Sequence, residues 1–219
     1  RTVLGYKAKG SEEAISVEKR LREAEANLKA VKGIRDYDAD VRWRSARVLL
    51  ESERTWEALW SFYNLMLDYP EHKQAEEFLF LAFSQARDVE DSFMVIKLAK
   101  DYLSRDNYKK YRGQITIDLA TYYQDQGRHQ DFYDLATSYL DGGPENDKAA
   151  AQMTNLLAIH LLERELYAEL QQRMERYNSV LANLEATKEA AKYWSSLALT
   201  IAADYNRALE SFNEFVDEY

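Results

Sequence analysis

Three histidines, His72, His129 and His160, are the side chains in this sequence best suited to metal binding or proton transfer near neutral pH. A helical zinc site of the H-E-x-x-H type needs two histidines four residues apart with a glutamate between them, and none of the three has such a neighbour. His160 lies between Leu157 and Leu161, which predicts a packing residue, and His129 falls at a turn and reads as solvated. Carboxylates are plentiful, as in Glu12-Glu13, Glu76-Glu77 and Asp217-Glu218. Adjacent acids on a helix project in different directions, so these predict solvated faces rather than a paired acid and base. Cysteine is absent, which removes disulfides, thiolate ligands and thiol nucleophiles. The seven glycines compose no phosphate loop, nucleophile elbow or dinucleotide fingerprint. The expectation is a chain that is not an enzyme and has no catalytic residue, metal or cofactor of its own.

Recognition chemistry is better represented. There are 16 Tyr and 4 Trp, residues that anchor protein interfaces. Trp56, Trp60, Phe62, Phe78, Phe80, Phe83, Phe93, Phe132, Trp194 and Phe212 recur at helical spacing, which predicts core packing for most of them. Phe78, Phe80 and Phe83 cannot all point the same way on one helix, so one of them is expected in an exposed groove. Arg42, Arg44 and Arg47, with Trp43, form a basic cluster in an acidic chain, and Arg44 and Arg47 share a helix face. The cluster fits an acidic partner or a lipid head group, or internal pairing with Glu51 and Glu53. The candidate partner-binding residues are Arg44, Arg47, Phe80, Tyr122 and Trp194.

The elements that must carry these residues emerge from composition and periodicity. The chain has 219 residues, 46% of them hydrophobic, with 7 Gly and 2 Pro. A sheet protein of this size needs more turn residues than that, whereas long helices do not. The net charge of −9 disfavours binding to a phosphate backbone. No apolar run reaches the roughly 18–20 residues that span a bilayer. No signal peptide is legible and the first residue is Arg1, which predicts a trimmed chain whose targeting segment would lie outside it.

Residues 1–10 read as a loose lead-in. Ser11, Glu12 and Glu13 predict a helix start and Gly33 its end. Within residues 11–33, Ala14, Val17, Leu21, Ala24, Leu28 and Val31 keep a heptad spacing, with Arg20 and Glu25 beside it. The segment reads either as a helix capping the first repeat or as a short coiled coil that pairs two copies. Helices are then predicted at 38–51, 54–69, 71–87, 89–104, 108–126, 128–141, 145–162, 164–178, 186–203 and 205–219. Gly113 is expected to open or interrupt a helix, Gly127 to close one, and Asp141-Gly142-Gly143-Pro144 to break the chain direction.

A repeat runs through 38–219. Ala58-Leu59, Phe62, Met66 and Tyr69 match Ala208-Leu209, Phe212, Val216 and Tyr219 at identical spacing. Looser copies end at Tyr102, Tyr139 and Tyr177, with Val95, Phe132 and Leu170 seven residues before them and Ala99, Ala136 and Met174 three before. The tyrosine intervals are 33, 37, 38 and 42.

Ala120-x-x-Tyr123-x-x-x-Gly127, then Phe132, Ala136 and Pro144, resembles the tetratricopeptide repeat, and Leu67-Asp68-Tyr69-Pro70 is similar to the end of that family's second helix. The chain departs from the family in its longer period, in the turn glycine that most copies lack, and in Phe132, where a small residue is usual. The resemblance implies an all-α, right-handed solenoid of about five antiparallel helical hairpins with an extra N-terminal helix. It also implies a concave surface that holds a protein or peptide. A heptad helix ahead of such hairpins looks like bacterial cell-envelope proteins of this family, which favours a periplasmic or envelope location. The alternative is a regulatory or substrate-docking domain of a larger enzyme.

Overall fold

The computed structural model describes residues 12–33 and 37–218, with side chains from 16–30 and 37–218. The predicted lead-in 1–10, the Ser11 cap, the Ala14 and Val31 side chains and Tyr219 lie outside the described residues. Eleven helices and no strand occur among those described: α1 (Glu12–Gly33), α2 (Asp38–Glu51), α3 (Thr55–Asp68), α4 (Ala75–Asp88), α5 (Ser92–Leu103), α6 (Arg112–Asp125), α7 (His129–Asp141), α8 (Asp147–Glu163), α9 (Tyr167–Val180), α10 (Glu185–Ile201) and α11 (Tyr205–Glu218). None is long and apolar enough to cross a membrane. The chain divides into two compact units, Arg1–Ser45 and Ala46–Tyr219, with the division inside α2.

The first unit holds α1 and the opening turns of α2. On α1 the heptad residues Val17 and Leu21 are half-buried, while Ala24 and Leu28 are exposed. Arg22 pairs with Glu18 at 2.7 Å along the same helix, an exposed contact that adds little.

The second unit is built on one turn used five times. Glu53, Glu90, Gly127, Glu165 and Ala203 all have positive φ, between 55° and 65°, and recur at intervals of 37, 37, 38 and 38 residues. At each, the amide of the residue after the left-handed one bonds five residues back: Arg54 to Leu49, Asp91 to Ala86, Arg128 to Tyr123, Leu166 to Leu161 and Asp204 to Leu199. The amide of the left-handed residue itself bonds three residues back. This is the Schellman motif, which satisfies the last carbonyls of a helix and reverses the chain. Each copy joins a leading helix (α2, α4, α6, α8, α10) to a trailing helix (α3, α5, α7, α9, α11). The trailing helix then packs on the next leading helix, α3 on α4, α5 on α6, α7 on α8 and α9 on α10, and α6, α8 and α10 also touch in succession.

The turns correct the repeat register read from tyrosines. Tyr102, Tyr139 and Tyr177 each stand twelve residues past their left-handed residue, whereas Tyr69 and Tyr219 stand sixteen past theirs. The outer two are one helical turn out of step, which is why the tyrosine intervals are 33 and 42 at the ends. In the corrected register, Ala58, Val95, Phe132, Leu170 and Ala208 are equivalent and all buried, as are Ala46, Phe83, Ala120, Ala158 and Ser196. Burying one such Leu or Phe is worth about 1.5–3 kcal/mol. Size varies freely at these positions, so Phe132 fits where the resemblance implies a small residue. Gly113 opens α6 as its second residue, and a Cβ there would lie 2.8 Å from that of Ala149 on α8.

Three aromatics expected in the core are not there. Trp56, Trp60 and Phe93 are exposed, Phe93 to 72%. Their register positions are occupied by Gln130, Asp134, Gln172 and Asn206 in other hairpins, which marks this as the outward face of the trailing helices.

Candidate interaction surface

The leading helices present a second face to solvent. Ten and nine residues before the left-handed residue stand Phe80-Leu81 on α4, Ile117-Asp118 on α6, Asn155-Leu156 on α8 and Tyr193-Trp194 on α10. Asn155 and Tyr193 are exposed and the others half-buried. The rows are fastened to one another. Arg87 of α4 pairs with Asp118 of α6 at 2.6 Å, and the Trp194 indole donates to the Asn155 carboxamide oxygen at 2.7 Å.

Aromatic contacts shape both ends of this face. Phe80 stacks on Tyr111, ring centroids 3.9 Å apart and nearly parallel, with the Lys110 ammonium 4.7 Å from the Tyr111 ring. Tyr193 meets Trp194 edge-on at 5.4 Å and rests against Phe212 and Phe215 of α11 at 6.4 and 6.0 Å. Beside it opens a pocket of about 420 Å³, lined by Asn155, Ala186, Glu189, Ala190, Tyr193 and Phe215.

Polar ties within and between hairpins lie elsewhere. The Glu76 carboxylate accepts from the Tyr102 hydroxyl and, at 2.6 Å, from the Lys110 amide, while the Tyr102 oxygen accepts from the Tyr111 amide at 2.9 Å. Asp147 caps α10 from the preceding hairpin, accepting from the Ala186 and Thr187 amides at 3.2 and 3.1 Å. Tyr133 donates to Glu169 and accepts from Arg173 at 2.8 Å. Burial, then the Glu169 carboxylate, holds the Tyr133 hydroxyl above the usual phenol range. Nearby Tyr177 is pushed up to about 12, chiefly by burial. These groups are committed to holding helices together.

Of the predicted partner-binding residues, the structure brings Phe80 and Trp194 onto the leading-helix face, at its two ends. Tyr122 lies on α6, half-buried, its hydroxyl covered and without a hydrogen-bond partner. Arg44 and Arg47 are exposed on α2, the first in one unit and the second in the other, and Arg47 lies 3.7 Å from Glu51. Sequence reasoning missed Tyr193, Phe215 and Glu189, and the register of the turns is the signal that finds Tyr193, since it places it with Phe80.

His129 and His160, separate in the sequence, come together in the fold. Their rings are 5.5 Å apart, and His160 is buried against Phe132 at 4.7 Å. Burial, then the Arg164 and His129 charges, lowers the His160 pKa from 6.5. Among the described residues no group of three or more His, Asp or Glu is placed to hold a metal ion. Compared with protein-family models, curated proteins and solved structures, the chain finds no match in any of the three.

Proposed function

We propose that this chain is a non-enzymatic interaction module that holds a protein or peptide segment across the leading helices α4, α6, α8 and α10. The observation that carries the reading is the open pocket between Tyr193, Phe215 and Glu189 at the end of the fastened row. It offers an apolar aromatic cleft with a carboxylate at the rim, suited to an apolar side chain flanked by a basic one. Rigid rows tied by Arg87–Asp118 and Trp194–Asn155 lower the ordering cost of binding an extended segment. The kinship with tetratricopeptide-type proteins rests on Ala120, Tyr123 and Gly127, and the bacterial-envelope setting on the heptad pattern of α1 and the missing cysteines.

The test is peptide selection from a random display library on the immobilised chain, with affinities then measured by calorimetry. Enriched peptides should carry an apolar anchor and lose at least about tenfold in affinity against Tyr193→Ser with Phe215→Ser, the cost of one lost anchor. A control variant, Trp56→Ser with Trp60→Ser, removes the exposed aromatics of α3 instead. Peptides that ignore the first variant and fail against the second would place recognition on the outward face and end the proposal.

A further inference from the structure

Packing alone does not account for His160. It is only 5% exposed, at the last turn of α8, yet no hydrogen bond to its ring occurs among the described residues. Its nitrogens are not sealed in without a partner, as the Tyr122 and Tyr177 hydroxyls are. The ring instead lines an open cleft that it shares with His129, Tyr133, Arg164 and Glu169. A neutral imidazole carries one donor and one acceptor, and a buried polar group left unsatisfied is costly. A buried ring held with its nitrogens toward a cleft is aimed at a ligand.

The second imidazole stands where a shared ligand needs it. His129 opens α7 and is exposed, and His160 belongs to α8, the leading helix of the next hairpin. Their ring centroids are 5.5 Å apart. Two imidazoles on one ion, at the ordinary metal–nitrogen distance of about 2.0–2.1 Å and bond angles from tetrahedral to trigonal, place their centroids about 5–6 Å apart. A search of the sequence for H-E-x-x-H takes both histidines from one helix and passes over a pair assembled from two. The electrostatics also suit a cation. His160 lies at the negative end of the α8 dipole, and Glu163 and Glu169 add negative charge, with Arg164 opposing them. Burial, then the Arg164 charge, holds the His160 ring below its ordinary pKa of 6.5, so its lone pair is available near neutral pH.

We propose that His129 and His160 form a two-histidine site for a divalent transition-metal ion, Cu2+, Ni2+ or Zn2+, with the remaining coordination positions left to water. Imidazole suits these ions, whereas Mg2+ and Ca2+ prefer oxygen donors. Structural zinc sites use four protein ligands, so a site with two binds reversibly, and the Irving–Williams order makes Cu2+ the tightest. The site does not depend on the peptide surface of the leading helices.

Calorimetry of the untagged 219-residue chain with the chloride salts of Cu2+, Ni2+, Zn2+ and Mg2+, in a non-chelating buffer near neutral pH, tests the proposal. Cu2+ should bind with one-to-one stoichiometry, Ni2+ and Zn2+ more weakly and Mg2+ not at all. Electron paramagnetic resonance of the Cu2+-loaded chain should show hyperfine structure from two imidazole nitrogens. His129→Ala and His160→Gln should each weaken Cu2+ binding at least about tenfold, while His72→Ala should leave it unchanged. His129 is exposed, so its variant keeps the test decisive even where circular dichroism shows that His160→Gln does not fold. Absence of Cu2+ binding up to about 1 mM, a tenfold weaker affinity than any site of this kind warrants, overturns the proposal. So does Cu2+ binding that survives His129→Ala, or that His72→Ala removes.

Discussion

Helices α3 and α11 are written in the same code and end in different environments. Both carry Ala-Leu, a Phe three residues after the Leu and an apolar residue four further on, at the same distance from a left-handed turn. In α3, Leu59 is 0% exposed and Met66 2%, because α4 packs on it; in α11 the matching Leu209 and Val216 face solvent. An amphipathic stripe states that a partner is needed and is silent about whether one arrives. In a stacked array the interior comes from nearest neighbours, and α11, the last helix described, shows the same stripe without one packed on it.

The largest effect should come from the matched leucines. Leu59→Ala should cost about 2–5 kcal/mol in urea unfolding, the range for a fully buried leucine. Leu209→Ala should stay within about 0.5 kcal/mol, as at an exposed site. Equal losses at both positions would erase the distinction between inner and terminal hairpins.

Gly113→Ala probes how closely inner leading helices approach. Its new Cβ would meet Ala149 at 2.8 Å, so a loss of about 1–3 kcal/mol is expected from overpacking. Ala149→Gly in the same chain should recover part of it, and no recovery would mean the contact is not the cause.

The turns should respond alike wherever they sit, because their strain is local. Glu165→Gly in an inner hairpin and Ala203→Gly in the last should each gain about 0.5–1 kcal/mol, since both hold positive φ without being glycine. Gly127→Ala should lose a similar amount. A gain at one turn but not the other would show that neighbours, not backbone geometry, govern the turn.

The smallest effect is a dependence on pH. His160 is buried in α8 where α10 has Ala198, and its pKa is lowered from 6.5. The unfolded chain then takes up a proton before the folded one does. His160 costs nothing above pH 6.5 and lowers stability as the pH falls from there through its depressed folded value. Melting temperatures of His160→Gln and wild type should therefore diverge below that pH, and parallel curves would remove His160 from the account.

Much of the array is legible in the sequence because helical periodicity and a shortage of Gly and Pro are local properties. The predicted helix spans and Gly127 agree with the structure within a few residues. The register is harder to read. Four of the five turns place Glu or Ala in the left-handed region, so no glycine marks them, and the tyrosines that stand in for a marker slip by one turn at both ends. Trp56, Trp60 and Phe93 look like core residues in the sequence because a single helix cannot show which of two apolar faces its neighbours cover.

The sequence by itself determined that the chain is helical, where its helices begin and end, and that hairpins repeat. These come from interactions among residues a few places apart. Only the tertiary structure decided that Tyr193 and Phe215 frame a pocket, that His129 meets His160 and that Asp147 caps a helix about forty residues away. Those pairings depend on how one hairpin rotates onto the next, which is set by the summed packing of many side chains rather than by any local pattern.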